Sequence, residues 1–447
     1  MYKQNDIVNL NISDYSHDGY GIGRIGEVVF FIPYAIIEEE IEARIVKVEK
    51  NFCVGEILRI IKKSAKRTNP ICQHFKDCGG CDLMHLSYQE QLHFKTISAL
   101  NTFRKIAKMN IYPDEVMGMD EGLYYRNKVQ VPFSVYKGHV KCGYYRKKTH
   151  DIIDLESCYI APLYVTDIIK EVKRIVIKKR ISIYDEKSKH GCLRHLLIRT
   201  NYKNEVMVVF ITNGNDLPFA KELVASLTTS FPQINSIMQN INNKHNNVIL
   251  GDKHKLLFGK DFLIDKILDL QFKVSHYSFF QINRLQTEKL YLKVLEYLQP
   301  KNKDIVVDCY CGVGTIALTI AKYVKHIYGI EVVASAIDDA NINKELNHIE
   351  NATFIVGKVE EEIDKVLDKG ITALVVDPPR KGLDVTLIDK LKEVRVPTIV
   401  YVSCNIATLA RDLERLSTVY AVKNVTLVDM FPQTAAIEGV VKLNLKV

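Results

Sequence analysis

In the segment IVVDCYCGVGTIAL, residues 305–318, an apolar run stops at an aspartate and passes into two closely spaced glycines. The β-branched residues Ile305 to Val307 suit a strand covered on both faces. Asp308 ends that strand, and Gly312 and Gly314 let the backbone turn tightly and approach a ligand at the start of the following helix. The same rhythm continues outward: HIYGIEVV, ATFIVGKV, ALVVDPPR and TIVYVSCN are apolar strands separated by helical stretches. Such alternation predicts a parallel sheet with helices on both faces, an α/β domain over residues 271–447. Glu331 ends the strand HIYGIE about 20 residues past the glycine loop, placed to accept both ribose hydroxyls of an adenosine. The spacing alone does not separate a dinucleotide from S-adenosylmethionine.

At 447 residues the chain is too long for one ordinary core and predicts several domains. Residues 1–62 alternate apolar and polar in short runs, VNLNISDYS, GEVVFFIPY and EIEARIVKVEK among them, between glycine-rich or charged turns. That is the pattern of a small all-β barrel. Residues 63–270 mix strand-like pieces such as KVQVPFSVY and EVMVVFIT with helical ones, a central α+β domain. The net charge of +8 is modest, but basic residues bunch in RIIKKSAKR (59–67), YYRKKTH (144–150) and KRIVIKKR (173–180), favouring a polyanionic partner. No run approaches the roughly 18 to 20 apolar residues of a membrane span, and MYKQNDIVNL has no signal-peptide pattern, so a cytoplasmic protein is expected. Ten cysteines in that compartment argue for metal ligation or catalysis over disulfides.

Two cysteine settings stand out. Cys404 lies where the strand TIVYVS runs into Asn405, and a helix expected from near Ala407 is placed to favour its thiolate through amide dipoles. On the preceding strand, DPPR (377–380) follows ALVV, and its prolines hold the chain extended at the crevice edge of the sheet. D/N-PP-aromatic loops serve enzymes that methylate amino groups of bases; here Arg380 takes the aromatic position, which points away from amino methylation. The second setting is Cys72, Cys78 and Cys81, spaced C-x5-C-x2-C, with Cys158 as a fourth thiol. Four thiolates suit zinc or an iron–sulfur cluster, and spacing does not decide between them. His74 and His85 read as ordinary surface residues, and Arg126 and Lys128, among the aromatics of YYRNKVQVPF, suit RNA contact.

DCYCGVGT, DPPRKGL, SCNIATLARD and FPQTAAIE, in this order, make the chain resemble the RNA (uracil-5-)-methyltransferase family, and more closely its 23S rRNA-modifying RumA/RlmD and RlmCD branch. The resemblance covers nearly the whole chain. It implies an OB-like TRAM barrel, a central domain with a [4Fe-4S] cluster on Cys72, Cys78, Cys81 and Cys158, and a Rossmann-like S-adenosylmethionine-dependent methyltransferase domain. It implies Cys404 as nucleophile and Glu438 as general base. Gln281 in SHYSFFQIN, Tyr310, Glu331 and Asp377, with Gly312 in the loop, are implied contacts of S-adenosyl-L-methionine, and Phe279 is implied to stack on a flipped uracil. The expected product is 5-methyluridine in a single-stranded loop of 23S rRNA, made by a monomer with no DNA partner. The runner-up is a tRNA uracil-5 methyltransferase, a branch expected to lack the barrel and the cysteine cluster. A non-catalytic RNA-binding ribosome assembly factor is the alternative of another class, and retention of Cys404 and Glu438 argues against it. Three departures stand out: Gln433 and Ala436 occupy positions where relatives carry histidines, and Lys358 stands where an Asn or Asp usually meets the adenine.

Overall fold

The computed structural model describes residues 2–446. Strands β1 (Ile7–Tyr15), β2 (Gly21–Ile25), β3 (Val28–Ile32), β4 (Glu40–Val48) and β5 (Phe52–Lys62) close into a barrel in the order β1-β2-β3-β5-β4. On β1, Val8, Leu10 and Ile12 are buried while their neighbours are exposed, so the period-two alternation fills the barrel core. The expected N-terminal barrel is present.

Helix α1 (Tyr88–Thr102) begins at Ser87, whose hydroxyl accepts the Glu90 N–H at 3.3 Å, and runs into a π turn at Phe103–Ala107. After the short strand β6 (Glu115–Met117) comes a six-stranded sheet. Its members β7 (Lys128–Tyr136), β8 (His139–Cys142), β9 (Leu193–Thr200), β10 (Val206–Thr212), β11 (Ile234–Ile241) and β12 (Lys253–Gly259) lie in the order β12-β11-β10-β9-β7-β8. Helices α2 (Leu163–Lys179) and α3 (Ala220–Ser230) share an apolar cluster with it.

A hairpin of β13 (Phe262–Ile267) and β14 (Leu270–Ser275) and helix α4 (Arg284–Leu298) lead into the C-terminal sheet. Its strands are β15 (Ile305–Cys309), β16 (His326–Glu331), β17 (Ala352–Val356), β18 (Ala373–Val376), β19 (Thr398–Ser403), β20 (Tyr420–Val428) and β21 (Glu438–Leu445). The order is β17-β16-β15-β18-β19-β21-β20-β6, with β15 to β19 parallel and β21 antiparallel to both β19 and β20. Helices α5 (Thr315–Ala321), α6 (Ala334–Leu346), α7 (Val359–Glu362), α8 (Asp364–Leu367), α9 (Val385–Val394) and α10 (Ile406–Leu416) complete the α/β domain. Along β19, Ile399 and Tyr401 enter one apolar cluster with α9 and α10, whereas Val400 and Val402 enter another with α4 and α5. That two-sided burial explains the unbroken apolar run. Among the described residues, no helix is long and apolar enough to cross a membrane.

The segment 88–117, expected within the central unit, packs elsewhere. Ala99, Phe103, Ala107 and Ile111 join the cluster beneath α9 and α10, and β6 pairs with β20. A buried ion pair fixes this docking: Lys95 Nζ lies 2.6 Å from Asp429 Oδ1, both side chains 0% exposed. The Tyr88 hydroxyl donates to the other Asp429 oxygen at 2.9 Å. Breaking a buried pair by removing one partner typically costs about 3–5 kcal/mol, because the other charge is stranded. Lys95→Ala is therefore expected to lower stability in urea denaturation by about that amount, and adding Asp429→Asn, which discharges the stranded carboxylate, to recover part of it. A loss below about 1 kcal/mol would show that the pair does not anchor α1.

Candidate active site

The loops at the carboxyl ends of β15, β16, β18 and β19 open on a cavity of about 1030 Å³. It lies where the strand order reverses between β15 and β18, the place a doubly wound sheet offers a ligand. Two facing elements come from strand register. Ser403 of β19 pairs with Gly439 of β21, so the next residues outward, Cys404 and Glu438, face each other at the sheet edge. Val376 of β18 pairs with Tyr401, which brings Asp377 to the same edge. Cys404, Glu438 and Asp377 all line the cavity.

Local chemistry holds each of them. Asn405 caps α10, its side chain accepting the N–H groups of Ala407 at 3.0 Å and Thr408 at 3.4 Å. The Asn405 amide and the Thr408 hydroxyl also donate to the Arg380 carbonyl, at 3.1 and 3.2 Å, tying the DPPR loop to the turn that carries Cys404. Asp412 of α10 accepts the Tyr401 hydroxyl at 2.7 Å and the Leu383 N–H at 2.8 Å, so strand, helix and loop share one buried carboxylate.

Across the cavity, Gly312 and Gly314 have φ of +55° and +81°. A Cβ at Gly314 would stand 2.9 Å from the Phe354 ring, so both conformation and space require glycine there. Glu331 accepts the Gly312 N–H at 3.2 Å and the Val333 N–H at 3.0 Å, which fixes its carboxylate beside the loop. Gln281, Tyr310, Gly312 and Glu331 line the same cavity, as does Phe279, whose side chain stands open at 73% exposure. Lys358, Glu360 and Thr315 are also on its wall; Lys358 pairs with Glu361 at 2.7 Å, and Thr315 with the Tyr291 hydroxyl at 2.7 Å.

Burial dominates the electrostatics. It pushes Glu438 up to about 8, with the nearby Asp377 adding to the effect, and Asp377 itself up to about 7. Asp308, fully buried at the end of β15, is held well above the carboxylate range by burial and then by Asp377. One oxygen of Glu438 and both of Asp308 have no hydrogen-bond partner among the described residues, leaving acceptor capacity beside the cavity. The Cys404 thiol is raised as well, by burial first and then by Glu438 and Asp377, while Arg380 pulls it down. This differs from the expected thiolate at a helix start: desolvation and two carboxylates outweigh the amide dipoles.

Other expected residues lie outside this cavity. Arg126 bridges to Asn283, and the Asn127 N–H donates to the Ile282 carbonyl at 2.9 Å, so the Arg126–Lys128 segment sits behind the strip that carries Phe279 and Gln281. Lys128 pairs in register with Arg199, and burial, then Arg199 and Arg126, push it down to about 8. His85 is buried and not a surface residue; packed against Phe75 and Tyr34, with both ring nitrogens unpartnered among the described residues, it is pushed down to about 3 by burial and then by Arg67 and Lys147.

The four cysteines are free thiols. Cys72, Cys78 and Cys81 are each raised by burial and also by Cys158, Cys78 to about 11, and the Gly80 N–H donates to Cys78 Sγ at 3.4 Å. They are thus neighbours. Among the described residues, however, no group of three or more His, Cys, Asp or Glu side chains stands in position to hold a metal ion. The expected ligand set is a neighbourhood of free cysteines whose soft donors fit a cluster in chemistry while not forming one in geometry.

What the sequence missed is the support of Glu438. Five successive carbonyls before it are each held from another part of the chain. Gln286 Nε2 donates to Asp429 O at 3.1 Å, Asn283 Nδ2 to Met430 O at 3.2 Å, and Lys95 Nζ to Phe431 O at 3.0 Å. The Tyr125 hydroxyl donates to Pro432 O at 2.9 Å, and the N–H groups of Asp82 and Leu83 to Gln433 O at 2.8 and 2.9 Å. No local pattern links these residues. Only the polar residues inside the apolar stretches of α1 and α4 hinted that something buried would need them.

Comparison with known proteins agrees with this geometry. Residues 229–446 match the tRNA (Uracil-5-)-methyltransferase family. An uncharacterized RNA methyltransferase of Staphylococcus aureus (strain MSSA476) is 44% identical, covering 99% of each chain, and one of Clostridium acetobutylicum is 43% identical over 98% of this chain and 97% of its own. The solved structure of Pyrococcus abyssi tRNA (uracil-54, C5)-methyltransferase in complex with S-adenosyl-L-homocysteine superimposes with a TM-score of 0.77 at 28% identity, covering 98% of this chain and 100% of its own. So wide a match includes the barrel, which counters the expectation that tRNA-directed enzymes lack one. By its sequence, its fold and its relatives, the chain belongs to the S-adenosylmethionine-dependent RNA uracil-5-methyltransferase family.

Proposed function

We propose that the protein forms 5-methyluridine in 23S rRNA, with Cys404 attacking the target uracil. The observation that carries this reading is the register of β19 and β21, which sets a thiol opposite a buried carboxyl on the wall of the cavity that also holds the glycine loop. Carbon 5 of uracil is a weak nucleophile. Addition of the Cys404 thiolate to carbon 6 forms an S–C bond, sends an electron pair to the carbonyl oxygen as an enolate, and makes carbon 5 nucleophilic. Bound S-adenosyl-L-methionine supplies the methyl group that carbon 5 takes up. Glu438 then removes the carbon 5 proton, the ring double bond re-forms, and the S–C bond breaks to release the thiolate. A carboxyl raised to about 8 suits that task, because its carboxylate form is a stronger base than that of an ordinary glutamate.

Gln281, Tyr310, Gly312, Glu331 and Asp377 are assigned to the cofactor, with the Glu331 carboxylate on the ribose hydroxyls. Phe279 offers its open ring to the flipped base, and Arg126 and Lys128 supply positive charge behind it for flanking phosphates. The barrel and basic segments make a folded cytoplasmic rRNA the favoured partner of a monomeric enzyme. A tRNA substrate is the second reading, favoured by the likeness to the Pyrococcus abyssi tRNA (uracil-54, C5)-methyltransferase. The cysteine neighbourhood is assigned a [4Fe-4S] cluster held by Cys72, Cys78, Cys81 and Cys158; methyl transfer to uracil needs no electron from it.

Three measurements test these assignments. Glu438→Gln should permit thiolate attack and methylation but block release, leaving a protein–RNA band that survives denaturing electrophoresis, carries the methyl label and disappears with ribonuclease. Cys404→Ala should form no band and lose turnover; substantial turnover by that variant removes Cys404 from the mechanism. With labelled S-adenosylmethionine, naked 23S rRNA should accept methyl groups far better than unmodified tRNA, and equal or better tRNA methylation selects the second reading. Protein purified without oxygen should be brown, with iron and sulfide near about four per chain, and Cys158→Ser should bleach it; zinc in place of iron under iron-replete growth overturns the cluster.

A further inference from the structure

Gln433 sits in the FPQT turn five residues before Glu438, and its surroundings give it a specific task. Its backbone is in the left-handed region, at φ +70°, and its side chain is buried. Every polar group it has is engaged. Gln91 of α1 donates from Nε2 to Gln433 Oε1 at 3.0 Å and accepts the Gln433 N–H on Oε1 at 3.0 Å. Gln433 Nε2 donates to the Gly122 carbonyl at 3.1 Å. Its own carbonyl accepts the N–H groups of Asp82 and Leu83, the residues directly after Cys81. Asp82 returns one more contact, its carboxylate accepting the Ala435 N–H at 3.3 Å.

We infer that Gln433 is a positioning residue for Glu438, joining the turn before the base to α1 and to the cysteine-bearing loop. The inference rests on the reading of Glu438 as general base. Three independent segments, 82–83, 91 and 122, meet at one residue, and β21 leaves that turn with Glu438 as its first residue. A left-handed non-glycine backbone persists only where its surroundings over-determine it, and the paired amides do so here. Glu438 itself has one oxygen unpartnered among the described residues, so its direction is set by the backbone it hangs from. The cysteine loop thereby acts on proton removal through two backbone bonds, those of Asp82 and Leu83 to the Gln433 carbonyl.

The test separates positioning from mere folding. Gln433→Gly keeps a backbone that tolerates positive φ and removes only the amide side chain. Gln91→Ala removes the same pairing from the other side and leaves the bonds from Asp82 and Leu83. In rapid-quench assays with RNA and labelled S-adenosylmethionine, both variants should transfer the first methyl group within about threefold of the parent rate, then turn over about tenfold or more slower, with the covalent protein–RNA adduct accumulating. A parallel fall of first-turnover and steady-state rates without adduct, or normal turnover, overturns the inference. If Gln433→Gly does not fold, Gln91→Ala alone decides it by the same criteria. Glu438→Gln is run beside them: adduct there but in neither variant refutes the role of Gln433 alone, whereas its absence from Glu438→Gln refutes the base assignment and the inference with it.

Discussion

The active-site edge depends on one run of carbonyl groups, from Asp429 to Gln433, each accepting a hydrogen bond from a residue distant in the chain. A turn crossing the interior must have its backbone polar groups paired, since leaving one buried and unpaired costs about 1–3 kcal/mol. Here α4, α1, the tyrosine before β7 and the cysteine loop supply the partners. Remove that run and β21 still pairs with β19, but the direction in which Glu438 leaves the sheet is no longer fixed.

That constraint also explains why the protein is not three beads on a string. α1 is contributed by a segment that precedes the central sheet, yet it packs with the C-terminal sheet through Ala99 and Lys95. The loop carrying Cys72, Cys78 and Cys81 is bonded to the turn before Glu438, and the strip 277–283 is backed by Asn127 from the edge of the central domain. The central region therefore backs two segments beside the cavity, the strip 277–283 and the turn before Glu438, in addition to its own fold.

Electrostatics follows from the same enclosure. Asp377 and Glu438 lie near the Cys404 thiol and Asp308 lies near Asp377, and burial raises all four groups. In water such a group of acids would be charged and mutually repelling. Enclosed, they hold their protons longer, so that proton removal at one of them becomes sensitive to the charge of its neighbours.

The sequence by itself determined the elements that rest on local pattern. The apolar runs ending at Asp308, Glu331, Asp377 and Cys404 specified parallel strands, because strands buried on both faces are apolar throughout, and the glycine loop marked the cofactor side. The alternation of β1 specified the barrel for the same kind of reason: a period of two is what a half-buried strand imposes. What only the tertiary structure decided is everything carried by residues far apart in the chain. The meeting of Cys404 with Glu438 depends on antiparallel register between β19 and β21, adjacent in the sheet but separated in the chain by α10 and β20, and neither residue's neighbours encode it. Lys95, Gln91 and Tyr125 look like ordinary helix or loop residues until the turn they support is brought beside them. The burial of His85 and the raised thiol of Cys404 likewise reflect enclosure by distant segments, and enclosure is a property of the packed molecule that local spacing does not carry.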